Sequence, residues 1–283
     1  MWTESLIAGI ERARPLDRLG RTLGLAVANV VRPGRAKDLL AGTWLGHPVH
    51  PMLTDVPIGA WSSALVLDLM GGGQARRAAD ALVGVGVLAA VPTAATGLSD
   101  LADVVDPRER SLGAAHALGN VTALALYSGS WLARRNRRRD AGVRLALLGA
   151  AVVTGAGFIG GHLAYRKGVG VDQTVFRGRI EDWTPVLEER ELPEAEPRRV
   201  RAGGTDILLY RHQGRVLALA DRCSHRGGPL HEGRVADGSV RCPWHLSTFR
   251  LEDGAILQGP ATAPQPCYQT RVRDGAIEVR EHG

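Results

Sequence analysis

Between residues 52 and 165 the chain carries four long apolar stretches with almost nothing charged inside them. Residues 81–99 are a run of 19 without an ionised side chain, and residues 111–133 a run of 23 without Asp, Glu, Lys or Arg. Residues 145–165 are apolar apart from small hydroxyl residues and His162. Residues 52–70 are the weakest of the four, with Asp55 near the start and Asp68 near the end. A bilayer core takes about 20 apolar residues per helix, and Gly and Pro within such runs are tolerated in a bundle. Gly155, Gly157, Gly160 and Gly161 suit close helix packing. A soluble bundle shows polar faces at helical period, and these runs show almost none. The expectation is an all-α four-helix transmembrane bundle over residues 40–168, with a buried soluble bundle as the competitor.

The 283 residues suit two domains, and the two halves differ. Residues 1–170 carry 19 basic and 12 acidic groups, and residues 171–283 carry 16 and 17. At 45% hydrophobic residues the chain is too apolar to be disordered. Three cysteines cannot staple a chain of this size. The net charge of +6 comes partly from arginines flanking apolar runs, which points to a lipid bilayer and to no nucleic acid. The first 15 residues hold no apolar core and no twin arginine, so no cleaved signal is expected. Residues 1–39 form an amphipathic, polar segment. Leu16, Leu19, Leu23 and Val27 recur at helical spacing among arginines, for packing against a bundle or against a membrane surface.

Four spans place Arg76, Arg77, Arg134, Arg135, Arg137, Arg138 and Arg139 in short loops on one side, which the positive-inside rule makes cytoplasmic. The carboxyl-terminal part then hangs on the extracytoplasmic side, although Arg32, Arg35 and Lys37 before the first span pull the other way. His47, His50, His116 and His162 come toward that outer side, with Asp55, Thr93, Thr96 and Asp100 at similar depth. Ionisable groups in a membrane are costly and tend to mark function. A pair of these histidines suits the axial positions of a b-type haem. The same groups suit a proton or quinone site, or a hydrogen-bond network pinning helix ends. A His/Asp metal site has no diagnostic spacing here. The stretch G-H-P-V-H-P-M-L-T-D-V-P-I-G at 46–59, with His116 and His162, resembles an uncharacterised family of bacterial four-span membrane domains. That resemblance covers residues 40–168 and implies topology without chemistry.

Residues 169–183 read as a linker. From residue 184, short strand signals alternate with turns at Gln213-Gly214, Asp237-Gly238, Asp253-Gly254 and Asp274-Gly275. An all-β domain over residues 184–281 follows. Inside it, residues 223–230 read C-S-H-R-G-G-P-L and residues 242–249 read C-P-W-H-L-S-T-F. Two Cys and two His on two short loops suit a [2Fe–2S] centre, with Cys223 and Cys242 on one iron and His225 and His245 on the other. They also suit a tetrahedral zinc. A zinc finger would set both His on a helix after the second Cys. Here each loop holds one Cys and one His, among turn-forming Gly227, Gly228, Pro229 and Pro243, as two loops capping a cluster would.

The domain resembles the Rieske iron–sulfur family over residues 184–281. Trp244 matches an aromatic common after the second-loop Pro in ferredoxin-like members. The extra loop cysteines of bc-type members are missing, so no loop disulfide is implied, and Cys267 has no evident partner. Leu246 departs from the family's usual His-Gly. Ser247 matches a position that donates to cluster sulfur in some members, and also suits a plain turn hydrogen bond. Phe249 stands in for a tyrosine of high-potential members, which implies an intermediate or low potential. The resemblance implies one-electron transfer at a membrane, with redox donor and acceptor proteins or quinone as partners. No complete catalytic site is read: 38 residues follow His245, and His282 is the only histidine among them. A mononuclear iron site needs two His and a carboxylate. Two further roles stay open, a membrane-anchored ferredoxin component of an oxygenase or reductase system and an iron–sulfur redox sensor.

Overall fold

The computed structural model describes residues 2–281. Seven α-helices run in chain order: α1 (Trp2–Glu11), α2 (Arg14–Val30), α3 (Arg35–Ala41), α4 (Val49–Met70), α5 (Gly73–Leu101), α6 (Pro107–Arg135) and α7 (Arg139–Tyr165). Ten strands follow, and the chain divides into two compact units. One takes residues up to 32 together with residues 48–169. The other takes residues 33–47 and everything from residue 170.

In the first unit each expected apolar stretch forms one long helix. Asp106 caps α6, its carboxylate accepting from the backbone N–H of Arg108 (2.7 Å) and Glu109 (3.2 Å), with Pro107 in the first turn. Gly71 and Gly72, both at positive φ, turn α4 into α5. Among the described residues only α5 and α7 are long and apolar enough to cross a bilayer, so the expected four transmembrane helices are narrowed to two on composition. The reason is visible in the others. Helix α4 contains Asp55 and Asp68, and the uncharged run of α6 is diluted by His116, Asn120 and several serines and glycines. Of the two placements open to the amphipathic segment, α2 takes the packed one. Arg110 of α6 reaches Asp17 at 2.6 Å, and Gly20 lies so close to α6 that a Cβ there would meet Arg110 at 2.7 Å.

Helices α4–α5 and α6–α7 are two versions of one hairpin. Trp61 of α4 stacks on Tyr127 of α6 with ring centres 4.0 Å apart and planes within 4°. Each ring lies on a glycine of its own hairpin partner, Trp61 on Gly86 of α5 and Tyr127 on Gly149 of α7. About three helical turns away, His50 lies on Gly97 and His116 on Gly160 in the same relation. A Cβ at any of these glycines would fall within 2.8 Å of the ring above it.

The second unit holds two antiparallel sheets. Strands β1 (Thr184–Glu188), β2 (Arg198–Ala202), β3 (Thr205–His212), β4 (Arg215–Ala220), β9 (Cys267–Arg273) and β10 (Ala276–Glu281) make a six-stranded sheet in the order β1-β10-β9-β4-β3-β2. Strands β5 (Arg234–Ala236), β6 (Ser239–Arg241), β7 (Thr248–Arg250) and β8 (Ile256–Gln258) make the other, in sequence order. The anticipated Asp-Gly and Gln-Gly turns close the hairpins, with Gln213, Asp237 and Asp274 in the left-handed region. One core fills with Ile207, Leu209, Tyr268, Ile277 and Val279, and a second with Leu208, Leu219, Leu230, Val240 and Phe249.

Two boundaries differ from the expected ones. Residues 170–183, expected as linker, are part of the β unit: Ile180 is buried, its carbonyl accepts from Glu281 N (2.9 Å), and the Gly178 carbonyl accepts from Thr205 Oγ1 (3.1 Å). The polar segment 1–39 is divided, because residues 33–47 pack with the β unit. There Asp38 accepts from the Gly259 amide (3.0 Å), and Thr43 donates to the Ala261 carbonyl (3.1 Å).

Candidate metal centre

Two loops of one design carry the four predicted ligands. In the first, Cys223 N donates to Gly228 O (2.9 Å) and Gly227 N donates to Cys223 O (2.8 Å). In the second, Cys242 N donates to Ser247 O (2.8 Å) and Leu246 N to Cys242 O (3.2 Å). Gly227 and Leu246 are therefore equivalent, and both lie at positive φ, 75° and 65°. A left-handed residue closes each loop. The departure from His-Gly seen in the sequence has left the backbone shape unchanged and put a leucine into it.

The loops bring the donors together in like pairs. Cys223 and Cys242 are 1% and 2% exposed and hydrogen-bond one another. The rings of His225 and His245 lie perpendicular with centres 4.9 Å apart. Among the described residues no three His, Cys, Asp or Glu side chains gather as ligands of one ion. Burial, followed by the neighbouring His245, Arg226 and Lys37, pushes the His225 imidazole well below the usual histidine range. A neutral ring is what a metal-bound imidazole requires. The hydrogen bond from Cys223 draws the Cys242 thiol down to about 7 against burial, while that same bond and burial push Cys223 up. Two sulfurs on one side and two neutral imidazoles on the other match the donor set of a [2Fe–2S] cluster with mixed ligation.

Side chains that sequence reading did not single out hold these loops. Gln265, 1% exposed, accepts from Ser224 N (3.0 Å) and donates to the carbonyls of Ala220 (2.6 Å) and Arg222 (2.7 Å). Buried Asp221 accepts from His231 N and the His231 ring, both at 2.7 Å. A glutamine far along the chain has no local pattern to betray it. Its role exists only once the loop's unpaired backbone groups are counted. Ser247 is fully buried, and its Oγ accepts from Ala261 N (3.0 Å), which leaves the hydroxyl proton for another acceptor. Trp244 is 47% exposed beside His245. Cys223, Cys242 and Cys267 form no disulfide, and Cys267 lies at the start of β9.

The predicted membrane histidines divide. His50 and His116 come together with ring centres 6.5 Å apart and planes at 86°. Each is anchored alike: His50 Nδ1–H donates to the Thr93 carbonyl (3.0 Å), and His116 Nδ1–H donates to the Ala156 carbonyl (2.8 Å). Thr96 Oγ1 lies 3.1 Å from His50 Nδ1, and Asn120 donates to His116 Nε2 at 3.1 Å. His47 is exposed and belongs to the β unit, so it does not share the helical unit with the others. Asp55 is exposed on α4, and His162 is half-buried near the end of α7.

Comparison with known proteins agrees with both halves. The model of the Rieske [2Fe-2S] domain matches residues 182–269, and that of the predicted membrane protein family DUF2231 matches residues 46–173. The anthranilate 1,2-dioxygenase ferredoxin subunit of Burkholderia cepacia is 36% identical over 100 residues, 35% of this chain and 93% of that protein. The 3-phenylpropionate/cinnamic acid dioxygenase ferredoxin subunit of Photorhabdus laumondii is 39% identical over 95 residues, covering 33% and 90%. Among solved structures, the ferredoxin of carbazole 1,9a-dioxygenase from Nocardioides aromaticivorans IC177 is 23% identical, covers 36% of this chain and 100% of that one, and has a TM-score of 0.34. By its cluster-type domain the chain belongs to the Rieske [2Fe-2S] family, and it joins that domain to a predicted membrane protein domain of the DUF2231 family.

Proposed function

We propose that the protein is a membrane-anchored Rieske electron carrier, in which Cys223 and Cys242 hold one iron and His225 and His245 the other. The observation that carries this is the sorting of the donors into a buried thiol pair and a perpendicular imidazole pair. A zinc finger would draw all four toward one centre. The bound cluster supplies exchange of one electron, at a potential raised by its imidazole ligands. The chain does the rest. Gln265 and Asp221 keep the first loop in place, and the cysteines are shut from water. Trp244 and the His245 edge face outward, where a partner protein docks. The ferredoxin subunits among the relatives support a protein partner of the oxygenase or reductase kind.

The anchor is α4–α7, crossing the membrane as two hairpins. Helices α5 and α7 meet the length and composition required, and the matched hairpin geometry supports the same role for α4 and α6. All four helices expose large apolar side chains, among them Val66 on α4, Leu88 on α5, Val121 on α6 and Phe158 on α7. Exposed apolar surface on this scale needs a cover, and lipid is the one that length and composition favour. Residues 33–47 and the chain from 170 fold into one unit, so the helices between them cross an even number of times. The arginines between α4 and α5 and between α6 and α7 favour the extracytoplasmic side for that unit by the positive-inside rule.

Spectroscopy and metal analysis of the purified full-length protein test the core claim. A dithionite-reduced sample should show the Rieske EPR signal, which Cys223→Ser and His245→Ala each abolish. Stoichiometric zinc without acid-labile sulfide would defeat it. Alkaline carbonate should leave the protein in the membrane pellet, and release into the supernatant would remove the anchor.

A second reading rests on the His50–His116 pair. Two imidazoles bound end-on to one metal, with bonds of about 2 Å, have ring centres roughly 6 Å apart. The carbonyl bonds at Nδ1 make each Nε2 the acceptor, as ligating histidines need, although that of His116 accepts from Asn120 (3.1 Å), a bond that a metal there would replace. This supports a b-type haem between the hairpins. Its test is the reduced-minus-oxidised optical spectrum of the wild type against His50→Ala, where no haem band in either would leave the pair as a polar contact between hairpins.

A further inference from the structure

Two stretches of the β unit adjoin the long helices along the chain. Residues 33–47 lead into α4 at Val49, and the chain from Gly170 follows α7, which ends at Tyr165. Both stretches are bonded down within the β unit. Thr43 donates to the Ala261 carbonyl (3.1 Å) and Asp38 accepts from Gly259 N (3.0 Å), and Ala261 N donates to Ser247 in the second ligand loop. On the other stretch, Gln173 N donates to the Ser224 carbonyl (3.0 Å) in the first ligand loop, and Arg222 donates to the Gln173 side-chain oxygen (2.7 Å). One junction thus reaches a ligand loop through Ala261, and the other bonds a ligand loop directly.

Both stretches hold large apolar side chains outward. Leu39 and Trp44 are exposed on the first, and the Trp44 indole donates to the Leu39 carbonyl (3.3 Å). On the second, buried Thr174 pins a tight turn in which Asp172 accepts from its backbone N–H (2.8 Å) and its hydroxyl (2.7 Å). The turn leaves Val171, Val175 and Phe176 outside, Phe176 with 94% of its surface exposed. Exposed apolar residues scattered singly mean little, but several gathered on two bonded segments call for a cover. Trp44 stands five residues before α4 and Val171 six residues after α7, so the chain holds each within about 22 Å of a helix end. Aromatic and aliphatic side chains beside the ends of spanning helices suit the headgroup level of a bilayer.

We propose that Leu39, Trp44, Val171, Val175 and Phe176 are an interfacial foot of the β unit, seated in the headgroup layer of the bilayer that α4–α7 cross. The proposal rests on the membrane reading above. Lipid is the occupant because these side chains sit on the stretches of chain that enter and leave the spanning helices. Since each stretch is bonded toward a ligand loop, the foot fixes the height of the cluster above the membrane. The redox partner this suits is one that works at a membrane surface.

The experiment reconstitutes full-length Cys267→Ser protein into vesicles of phosphatidylcholine and phosphatidylglycerol. Leu39→Cys, Phe176→Cys and Val272→Cys are added singly and labelled with a nitrobenzoxadiazole fluorophore, the cysteines of the ligand loops being buried. Val272 is the control, exposed near the Asp274-Gly275 turn, while the other end of β9 pairs with the end of β4 that leads to the first ligand loop. The lipid carries a doxyl spin label, either near the glycerol or near the end of the acyl chain. Far-UV circular dichroism confirms that each labelled protein is folded. Fluorescence from Leu39→Cys and Phe176→Cys should be quenched several-fold more than that from Val272→Cys, and more by the shallow spin label than by the deep one. Quenching of either no stronger than that of Val272→Cys overturns the foot. Blue-shifted emission without quenching, as a protein neighbour or a second copy would give, overturns it too. Release of the protein by alkaline carbonate is a separate result, which brings down the membrane anchor and the foot with it.

Discussion

Asp68 and Arg134 occupy corresponding positions at the ends of α4 and α6, 66 residues apart, and meet as an ion pair at 2.5 Å with side chains 3% and 0% exposed. The two hairpins thus match in shape and are opposite in charge at this point. Asp80 of α5 also takes Arg134 (2.8 Å), and Arg139 bonds both aspartates, so four side chains close this end of the helical unit. Removing one member of a buried pair strands the other, at about 3–5 kcal/mol. Arg134→Gln should therefore lower the thermal midpoint of the detergent-solubilised protein sharply. Arg135→Gln should leave it almost unchanged, its charge lying outside this network. Equal midpoints for the two variants would show that the network is not holding the hairpins together.

Leu246 is a leucine in a glycine's conformation, at φ 65° where its counterpart Gly227 stands at 75°. The left-handed region costs an ordinary side chain about 1–2 kcal/mol, and glycine's larger unfolded-state entropy returns roughly 0.5–1 of that. Leu246→Gly should stabilise the loop by about 1 kcal/mol at most, read as slower thermal loss of the visible absorption. Leu246→Ala keeps the strain and should bring no gain. If both variants lose the cluster faster than wild type, the leucine side chain is shielding it and that outweighs the strain.

The ligand loops were legible in the sequence because Cys, His, Gly and Pro crowd into two short runs whose spacing reports their own geometry. The Asp-Gly turns were legible for the same reason. The docking of residues 33–47 was not, because its bonds join Asp38 and Thr43 to residues more than 200 positions away. The paired hairpins were written in the sequence but masked by composition. Gly86 and Gly97 repeat as Gly149 and Gly160, and His50 and Trp61 as His116 and Tyr127, with aromatic and small residues changing identity between copies. Hydropathy reads the four helices as separate runs, and only the stacking of Trp61 on Tyr127 exposes the relation. The span count stayed open because Asp55 and Asp68 in α4 and His116 and Asn120 in α6 make those runs less apolar, and the partners that Asp68 finds in Arg134 and Arg139 are tertiary.

Gln265 satisfies three buried backbone groups at once, the Ser224 amide and the Ala220 and Arg222 carbonyls. Each group left without a partner costs about 1–3 kcal/mol. Gln265→Leu fills a similar volume and strands all three, so it should destabilise the domain by several kcal/mol. It should also speed cluster loss on warming. Gln265→Glu keeps the acceptor to Ser224 and loses the donor to both carbonyls, so it should fall between Leu and wild type. A Leu variant as robust as wild type would mean that water takes over the loop's backbone groups.

Gly228 packs its α-carbon against the second loop. A Cβ there would lie 2.8 Å from Cys242 Sγ and 3.1 Å from the Trp244 ring. The sulfur is a proposed ligand and cannot retreat without leaving its iron, and the nearest indole atoms are Cγ and Cδ2, at the base of the ring, where a side-chain rotation moves them little. Gly228→Ala should therefore separate the two loops by a few tenths of an ångström, in a site where cluster bonds tolerate little. The expected outcome is a protein that folds, with native far-UV circular dichroism, but carries substoichiometric iron and sulfide. Gly238→Ala, at a hairpin turn where a Cβ meets nothing within 4 Å, supplies the control: it costs backbone strain at φ 70° and should retain a full cluster. Full iron in Gly228→Ala would show that the loops can part without loss, and the tight approach of Gly228 to Cys242 would then have no role in assembly.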